Sequence, residues 1–227
     1  HYTEGNFARS LKTLSEGAVS SHYLVDDSDG KIYGLVDEER RAYHAGASSW
    51  KGQNQLNYSS IGIEIVNSGL KDTPEGRTWY DYPEKQLSSL IRLMKQIVAR
   101  HEIKPENILG HSDIAPQRKI DPGPRFPWQR LASEGLGIWP DASRVASLKT
   151  QFDTQLPDLA WFRQKLAQQG YEVPQTTELD EATRKVIAVF QMRYRPALFD
   201  GTPDAETAAI LEVLTSPSGL VGDGAVN

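Results

Sequence analysis

The chain has 227 residues, 38% hydrophobic and 24% charged, with a formal net charge of −5. That length fits one catalytic-size domain plus a small module, and the composition is globular rather than disordered. The acidic balance argues against a nucleic-acid binder, and the absence of cysteine excludes disulfides, thiolate zinc sites, thiol catalysis and iron–sulfur clusters.

No apolar run approaches the ~20 residues of a membrane helix. Phe7, Leu11 and Leu14 fall at i, i+4 and i+7 and predict a short amphipathic helix. His22-Tyr23-Leu24-Val25 and Ile32-Tyr33-Gly34-Leu35-Val36 read as two strands of a hairpin turned by Asp26 to Gly30. Ile61 to Val66 is apolar at nearly every position and predicts a central strand. Leu87, Leu90, Ile91, Met94, Ile97 and Val98 predict a helix with Pro83 near its start. Ile108 to His111 reads as a further short strand, and the proline-rich stretch 112–130 as a shaped loop.

Past a mixed polar stretch the pattern turns helical only. Leu159, Phe162 and Leu166 form one stripe, closed by Gly170; Ala182, Val186, Val189 and Phe190 form a second; Ile210, Leu211 and Leu214 form a third. Asp180-Glu181-Ala182-Thr183 and Asp204-Ala205-Glu206-Thr207 repeat one start signal, an Asp N-cap. The expected layout is a catalytic domain over 1–142, a linker over 143–155, a helical module over 156–215 and a tail over 216–227. The fold class is α/β, a mixed sheet flanked by helices, followed by a small all-α three-helix domain.

Glu64 is a carboxylate inside an apolar strand, costly there without a cation, a metal-bound water or donors; a solvent-facing edge Glu is the plain alternative. His111 ends a strand, and Asp121 sits in Lys119-Ile120-Asp121-Pro122-Gly123. An imidazole and a carboxylate suit zinc, although a lone His and Asp are more often ordinary surface residues. His22 reads as structural. His44 lies in a loop before Trp50, where it would line a cleft.

The ordered set His1-Tyr2-Thr3, Ser21-His22-Tyr23-Leu24-Val25, Tyr43-His44-Ala45-Gly46, Ser60-Ile61-Gly62-Ile63-Glu64, Gly110-His111-Ser112-Asp113-Ile114-Ala115 and Lys119-Ile120-Asp121-Pro122-Gly123 closely resembles the zinc-dependent N-acetylmuramoyl-L-alanine amidases of the AmpD/AmiD type. The likeness covers roughly residues 1–140. The helical module is similar to the peptidoglycan-binding domain that follows the catalytic domain in the envelope-located members. The resemblance implies one zinc ion held by His1, His111 and Asp121, with Glu64 and Lys119 as the catalytic pair. Some relatives use a Tyr just before the strand His, where this chain has Ser21. His44, Ala45, Trp50 and Asn57 are expected to contact substrate. The family also carries a central strand before its first ligand, expected here upstream of His1.

The implied reaction cleaves the amide between the lactyl group of N-acetylmuramic acid, or its 1,6-anhydro form, and L-alanine of the stem peptide. Peptidoglycan and muropeptides are the implied partners. The implied place is the cell envelope, in the periplasm, with outer-membrane lipid anchoring through a segment before His1. Three readings compete: a non-catalytic peptidoglycan-recognition protein; an N-terminal His that chelates copper, which the Lys119–Gly123 motif opposes; and a pure wall-binding protein that works through residues 156–215. The module is expected to be a separate unit that holds the enzyme on polymeric wall.

Overall fold

The computed structural model describes residues 1–216 except 4 and 75. The expected tail beyond Ser216 lies outside the described residues. In chain order the elements are β1 (Tyr2–Thr3), α1 (Phe7–Glu16), β2 (Tyr23–Val25), β3 (Ile32–Gly34), β4 (Ser49–Trp50), β5 (Gln53–Asn54), β6 (Ile63–Val66), β7 (Leu70–Thr73), β8 (Gly76–Trp79) and α2 (Glu84–His101). Then follow α3 (His111–Ile114), α4 (Trp128–Ser133), α5 (Ala142–Thr154), α6 (Leu159–Gln169), α7 (Glu181–Tyr194) and α8 (Ala205–Thr215). No helix among the described residues is long and apolar enough to cross a membrane.

The main sheet runs β1-β6-β2-β3. β6 pairs in parallel with β1 and β2, and β2 closes an antiparallel hairpin with β3. The Ile61–Val66 segment is therefore central, as its apolar run predicts. Its side chains alternate. Ile63 and Ile65 join the core under α2, whereas Val66 joins Leu14 and Leu24 on the α1 side, and Glu64 shares that side. The hairpin turn is set by Asp26, whose Oδ1 accepts from Ser28 N at 2.7 Å.

α2 covers the other face through Leu87, Leu90, Ile91, Leu93 and Ile97. Gln86 anchors its first turn: its buried side-chain amide donates to Val25 O at 3.1 Å and Val66 O at 2.8 Å. Those two carbonyls lie at the ends of β2 and β6, so one side chain satisfies both strand ends.

Two expectations change. Ile108 to His111 is not a strand. The Asp113 carboxylate accepts from Gly110 N at 2.7 Å, and Ser112 N donates to Asp121 O at 2.9 Å, which turns the chain into α3 at His111. The 143–155 stretch is not an open linker but α5, capped by Asp141 on Arg144 N at 2.9 Å and packed along α8. Its polar composition hid it: Val145 and Phe152 are half-buried, and the helix buries no residue fully.

All three later helices start on an Asp cap, at Asp180 and Asp204 as the repeated signal predicts and at Asp158 as well. Asp158 accepts from Trp161 N, Asp180 from Thr183 N and Asp204 from Thr207 N, at 2.9, 2.7 and 2.8 Å. Their core of Phe162, Leu166, Val186, Ile187, Phe190 and Leu211 is continuous with Trp50, Leu56 and Ile114 of the sheet domain. The module is docked on the first domain through a shared apolar core.

Candidate active site

Three elements bring the candidate ligands together. His1 enters at the head of β1; its backbone N–H donates to Ile63 O at 3.2 Å and its carbonyl accepts from Ile65 N at 3.1 Å. The ring is thereby fixed beside Glu64 of β6. His111 is the first residue of α3, and Asp121 lies on the loop that Ser112 N holds.

His1 Nδ1 is 3.6 Å and His111 Nδ1 is 3.2 Å from Asp121 Oδ2, and the candidate donor atoms of all three residues lie within 4.8 Å of one another. A tetrahedral ion ~2.05 Å from each donor needs donors roughly 3.3 Å apart. His1 Nδ1 and Asp121 Oδ2 are buried and have no hydrogen-bond partner. Orphaned polar atoms of this kind are costly, and a cation between them would satisfy both. The donor set, two imidazoles and a carboxylate, suits zinc and leaves a fourth position for water or substrate. The residues therefore fit the ion.

The tautomers point the same way. Burial, with His22 nearby, pushes the His44 ring down to about 4, so it is neutral at physiological pH. Its Nε2–H faces Ser60 O at 3.4 Å, which leaves Nδ1 as the acceptor facing His1 Nε2 at 3.3 Å. His1 then carries its proton on Nε2 and presents a lone pair at Nδ1. His111 does the same through Ala45 O, which accepts from its Nε2 at 3.2 Å. Second partners of this kind orient metal-bound imidazoles. Burial raises the Asp121 carboxyl, but the neighbouring His111 ring, the His1 amino group and the Lys119 ammonium outweigh it and hold it below its ordinary value.

The loop that carries these partners is braced twice. Asn57 Oδ1 accepts from His44 N at 3.0 Å and Ala45 N at 2.7 Å. Arg118, which sequence reasoning passed over, grips Ala45 O, and its Nη2 donates to Ala47 O at 2.7 Å. Its one available signal is its place beside Lys119 in the ligand loop. Gly62 permits the arrangement: a Cβ there would lie 2.3 Å from His44 Cγ.

Glu64 Oε1 stands 3.8 Å from His1 Nδ1. Glu64, Lys119, Arg118, Asn57, His44 and the three candidate ligands all line one cleft of about 340 Å³. A larger cavity of about 480 Å³ reaches the His1 and His111 rings from the α2 side, with Ile63, Ile65 and Met94 in its walls. Glu64, Lys119 and Asp121 do not line it, so the smaller cleft is the candidate active site. Trp50 does not join that cleft. It is buried in the core, edge-on to Tyr171 at 5.1 Å and against Gly170, so the expectation of a substrate contact gives way to a structural role.

Comparison with known proteins agrees with this geometry. Residues 1–124 match the family model of N-acetylmuramoyl-L-alanine amidase, and residues 155–211 match that of a peptidoglycan binding domain. The N-acetylmuramoyl-L-alanine amidase AmiD of Escherichia coli K12 is 45% identical over 96% of this chain and 82% of its own length. The crystal structure of AmpDH3 from Pseudomonas aeruginosa superposes with a TM-score of 0.88 at 40% identity, covering 94% of this chain and 88% of that one. The complex of E. coli AmiD with anhydro-N-acetylmuramic acid-L-Ala-D-gamma-Glu-L-Lys gives a TM-score of 0.85 at 44% identity, covering 94% and 86%. The order of the motifs, the docked helical unit and the likeness over nearly the whole length agree, and the chain belongs to the N-acetylmuramoyl-L-alanine amidase family, as an enzyme of that class.

Proposed function

We propose that the enzyme is zinc-dependent and hydrolyses the amide between the lactyl group of N-acetylmuramic acid and L-alanine of the stem peptide. Both the intact sugar and the 1,6-anhydro sugar are within its scope; the second is the form bound to E. coli AmiD. The observation that carries the reading is the pair of buried, unpartnered atoms, His1 Nδ1 and Asp121 Oδ2, facing His111 Nδ1 with Glu64 3.8 Å away.

His1, His111 and Asp121 hold the ion, which when bound polarises the scissile carbonyl and lowers the pKa of water toward ~7. Glu64 takes a proton at its carboxylate from the attacking water and returns it to the departing amine of L-alanine. An amide needs both steps, because its nitrogen leaves poorly without a proton. Lys119 places an ammonium at the cleft wall, where it stabilises negative charge developing on the carbonyl oxygen. His44, Ala45 and Asn57 hold the ligand rings in register. A non-catalytic recognition protein needs neither the filled ligand set nor Glu64 beside it.

The helical module brings the enzyme to polymeric peptidoglycan, and that substrate places its work in the cell envelope, on the periplasmic side. Chelator treatment should abolish release of peptide from a muramoyl peptide, and added zinc should restore it. Asp121→Ala should lose both zinc and activity; full activity in that variant would show that the ligand set is wrong.

A further inference from the structure

The buried contact between the module and the catalytic domain carries a charged cluster centred on Asp113. Its Oδ2 accepts from Gly110 N at 2.7 Å, and its Oδ1 accepts from the Tyr171 hydroxyl at 2.6 Å. Arg193 Nη1 forms a close ion pair with Oδ2, and Nη2 donates to Ile108 O at 3.0 Å. The guanidinium lies 3.8 Å over the Trp128 ring, and the Arg193 and Asp113 side chains are only 5% and 2% exposed. Tyr171 follows α6 and Arg193 belongs to α7. Burial and the Asp113 carboxylate raise the Tyr171 phenol well above its ordinary value, which keeps it a donor.

Cohesion alone does not explain this arrangement. A buried ion pair is weak evidence for stability, because apolar residues of similar volume serve as well. What an apolar side chain cannot do is accept the Gly110 N–H. That bond starts α3 and therefore sets where His111 stands. The next residue, Ser112, donates from its backbone to Asp121 O at 2.9 Å, so a displacement of α3 moves two candidate ligands together. Gly110 leaves no slack: a Cβ there would lie 2.7 Å from Pro122 Cδ, beside the Asp121 ligand, and 3.3 Å from Asp113 Oδ2.

We propose that Tyr171 and Arg193 are positioning residues of the active site: the peptidoglycan-binding module, through Asp113, holds the His111–Asp121 half of the metal site in its ligating geometry. This rests on the zinc reading above. The module thus acts on the chemistry as well as on attachment, and the catalytic domain reaches its working geometry only with the module docked.

The test uses the full-length chain and two variants, Tyr171→Phe and Arg193→Met. Tyr171→Phe removes a single hydroxyl and keeps the ring against Trp50 and Phe190. Zinc affinity is measured by competition with a chromophoric chelator, alongside kcat and KM on a soluble muramoyl peptide, thermal midpoint and co-sedimentation with sacculi. Tyr171→Phe should weaken zinc binding on the order of tenfold, as loss of an outer partner does. It should also lower kcat with KM and sacculus binding unchanged. Arg193→Met should do the same more strongly; if it fails to fold, Tyr171→Phe decides alone. Zinc affinity and kcat equal to wild type would overturn the inference, even with a lowered thermal midpoint, because the contact would then be only structural. If the wild-type chain itself binds no zinc, the active-site reading fails and the inference falls with it.

Discussion

Glu64 and His44 are both buried polar residues at the cleft, and they are asked to do different things. Glu64 is a carboxylate on a central strand that reaches the ligand rings. Glu64→Gln keeps the shape and removes the basic oxygen, so it should retain zinc and lose roughly 10²-fold or more in kcat. Loss of the metal in that variant would make Glu64 a ligand instead. His44 acts through His1: His44→Phe removes the acceptor that orders the His1 tautomer, and zinc affinity should fall about 10- to 100-fold in a chelator competition. Equal affinity would show that His1 needs no such partner. The sequence showed Glu64 as an anomaly, because a charge in an apolar run is visible without a structure. His111 and Asp121 were offered weakly by their chemistry, and the full set with His1 only through resemblance, since nothing in their spacing brings a strand head, a helix start and a loop together. The role of His44 was hidden, because it depends on the close approach that Gly62 allows.

Elements with a strong apolar period were readable, and those without one were not. α2 and the three later helices follow from their apolar stripes, and α7 and α8 from their Asp caps as well. α5 escaped because only Val145 and Phe152 pack against the core and no residue of it is fully buried, and α3 because it is a short turn whose start depends on Asp113 bonding back to Gly110 and on the distant Asp121 carbonyl. One tie between elements gives a pH prediction. Glu38, after β3, accepts from Tyr23 of β2 at 2.5 Å and from Arg100 Nε at 3.1 Å, and it meets His101 at 2.6 Å, both at the end of α2. The hydrogen bond from Arg100 leads the effects that hold its carboxyl at about 2, below the ordinary 4.5. The folded state therefore favours the charged form. The stabilisation is full above pH 4.5 and is lost as pH falls toward 2. Glu38→Gln should lower the denaturant midpoint at pH 7, and the gap to wild type should close between pH 4.5 and 2. A constant gap across that window would exclude the linkage.

Across the whole molecule, the two units expected to be separate share a core. Gly170, with φ +130°, ends α6 against the Trp50 ring, where a Cβ would come within 2.7 Å, and its carbonyl accepts from Lys51 N at 2.8 Å. Gln117 Nε2 donates to Ala182 O at 2.9 Å on the far side of the contact. A chain ended near Ala142 would expose Trp50, Leu56 and Ile114 and leave the Asp113 carboxylate without Tyr171 and Arg193. The full chain should therefore unfold in a single calorimetric transition, with calorimetric and van't Hoff enthalpies equal. Two resolved transitions would restore the picture of independent domains. The sequence placed the helical unit after residue 155, beyond α5, and could not show this docking. Trp50 looks like any aromatic near a cleft, and Arg193 looks like a surface charge. The available signal was register: Arg193 continues the buried stripe of Val186, Val189 and Phe190 on α7, where a cation needs a buried partner.

Under the proposed function, His1, His111 and Asp121 hold one zinc ion and Glu64 moves the proton as the lactyl–L-alanine amide is cleaved. Titrating zinc into the metal-free full-length chain, with mass analysis of the products from a soluble muramoyl tripeptide, tests it most directly. The expected products are intact tripeptide with a free L-alanine amino group and peptide-free muramic acid, at a rate that rises in proportion to zinc and levels at one ion per chain. Full activity without zinc, a plateau at two ions per chain, or cleavage at any other bond would contradict it.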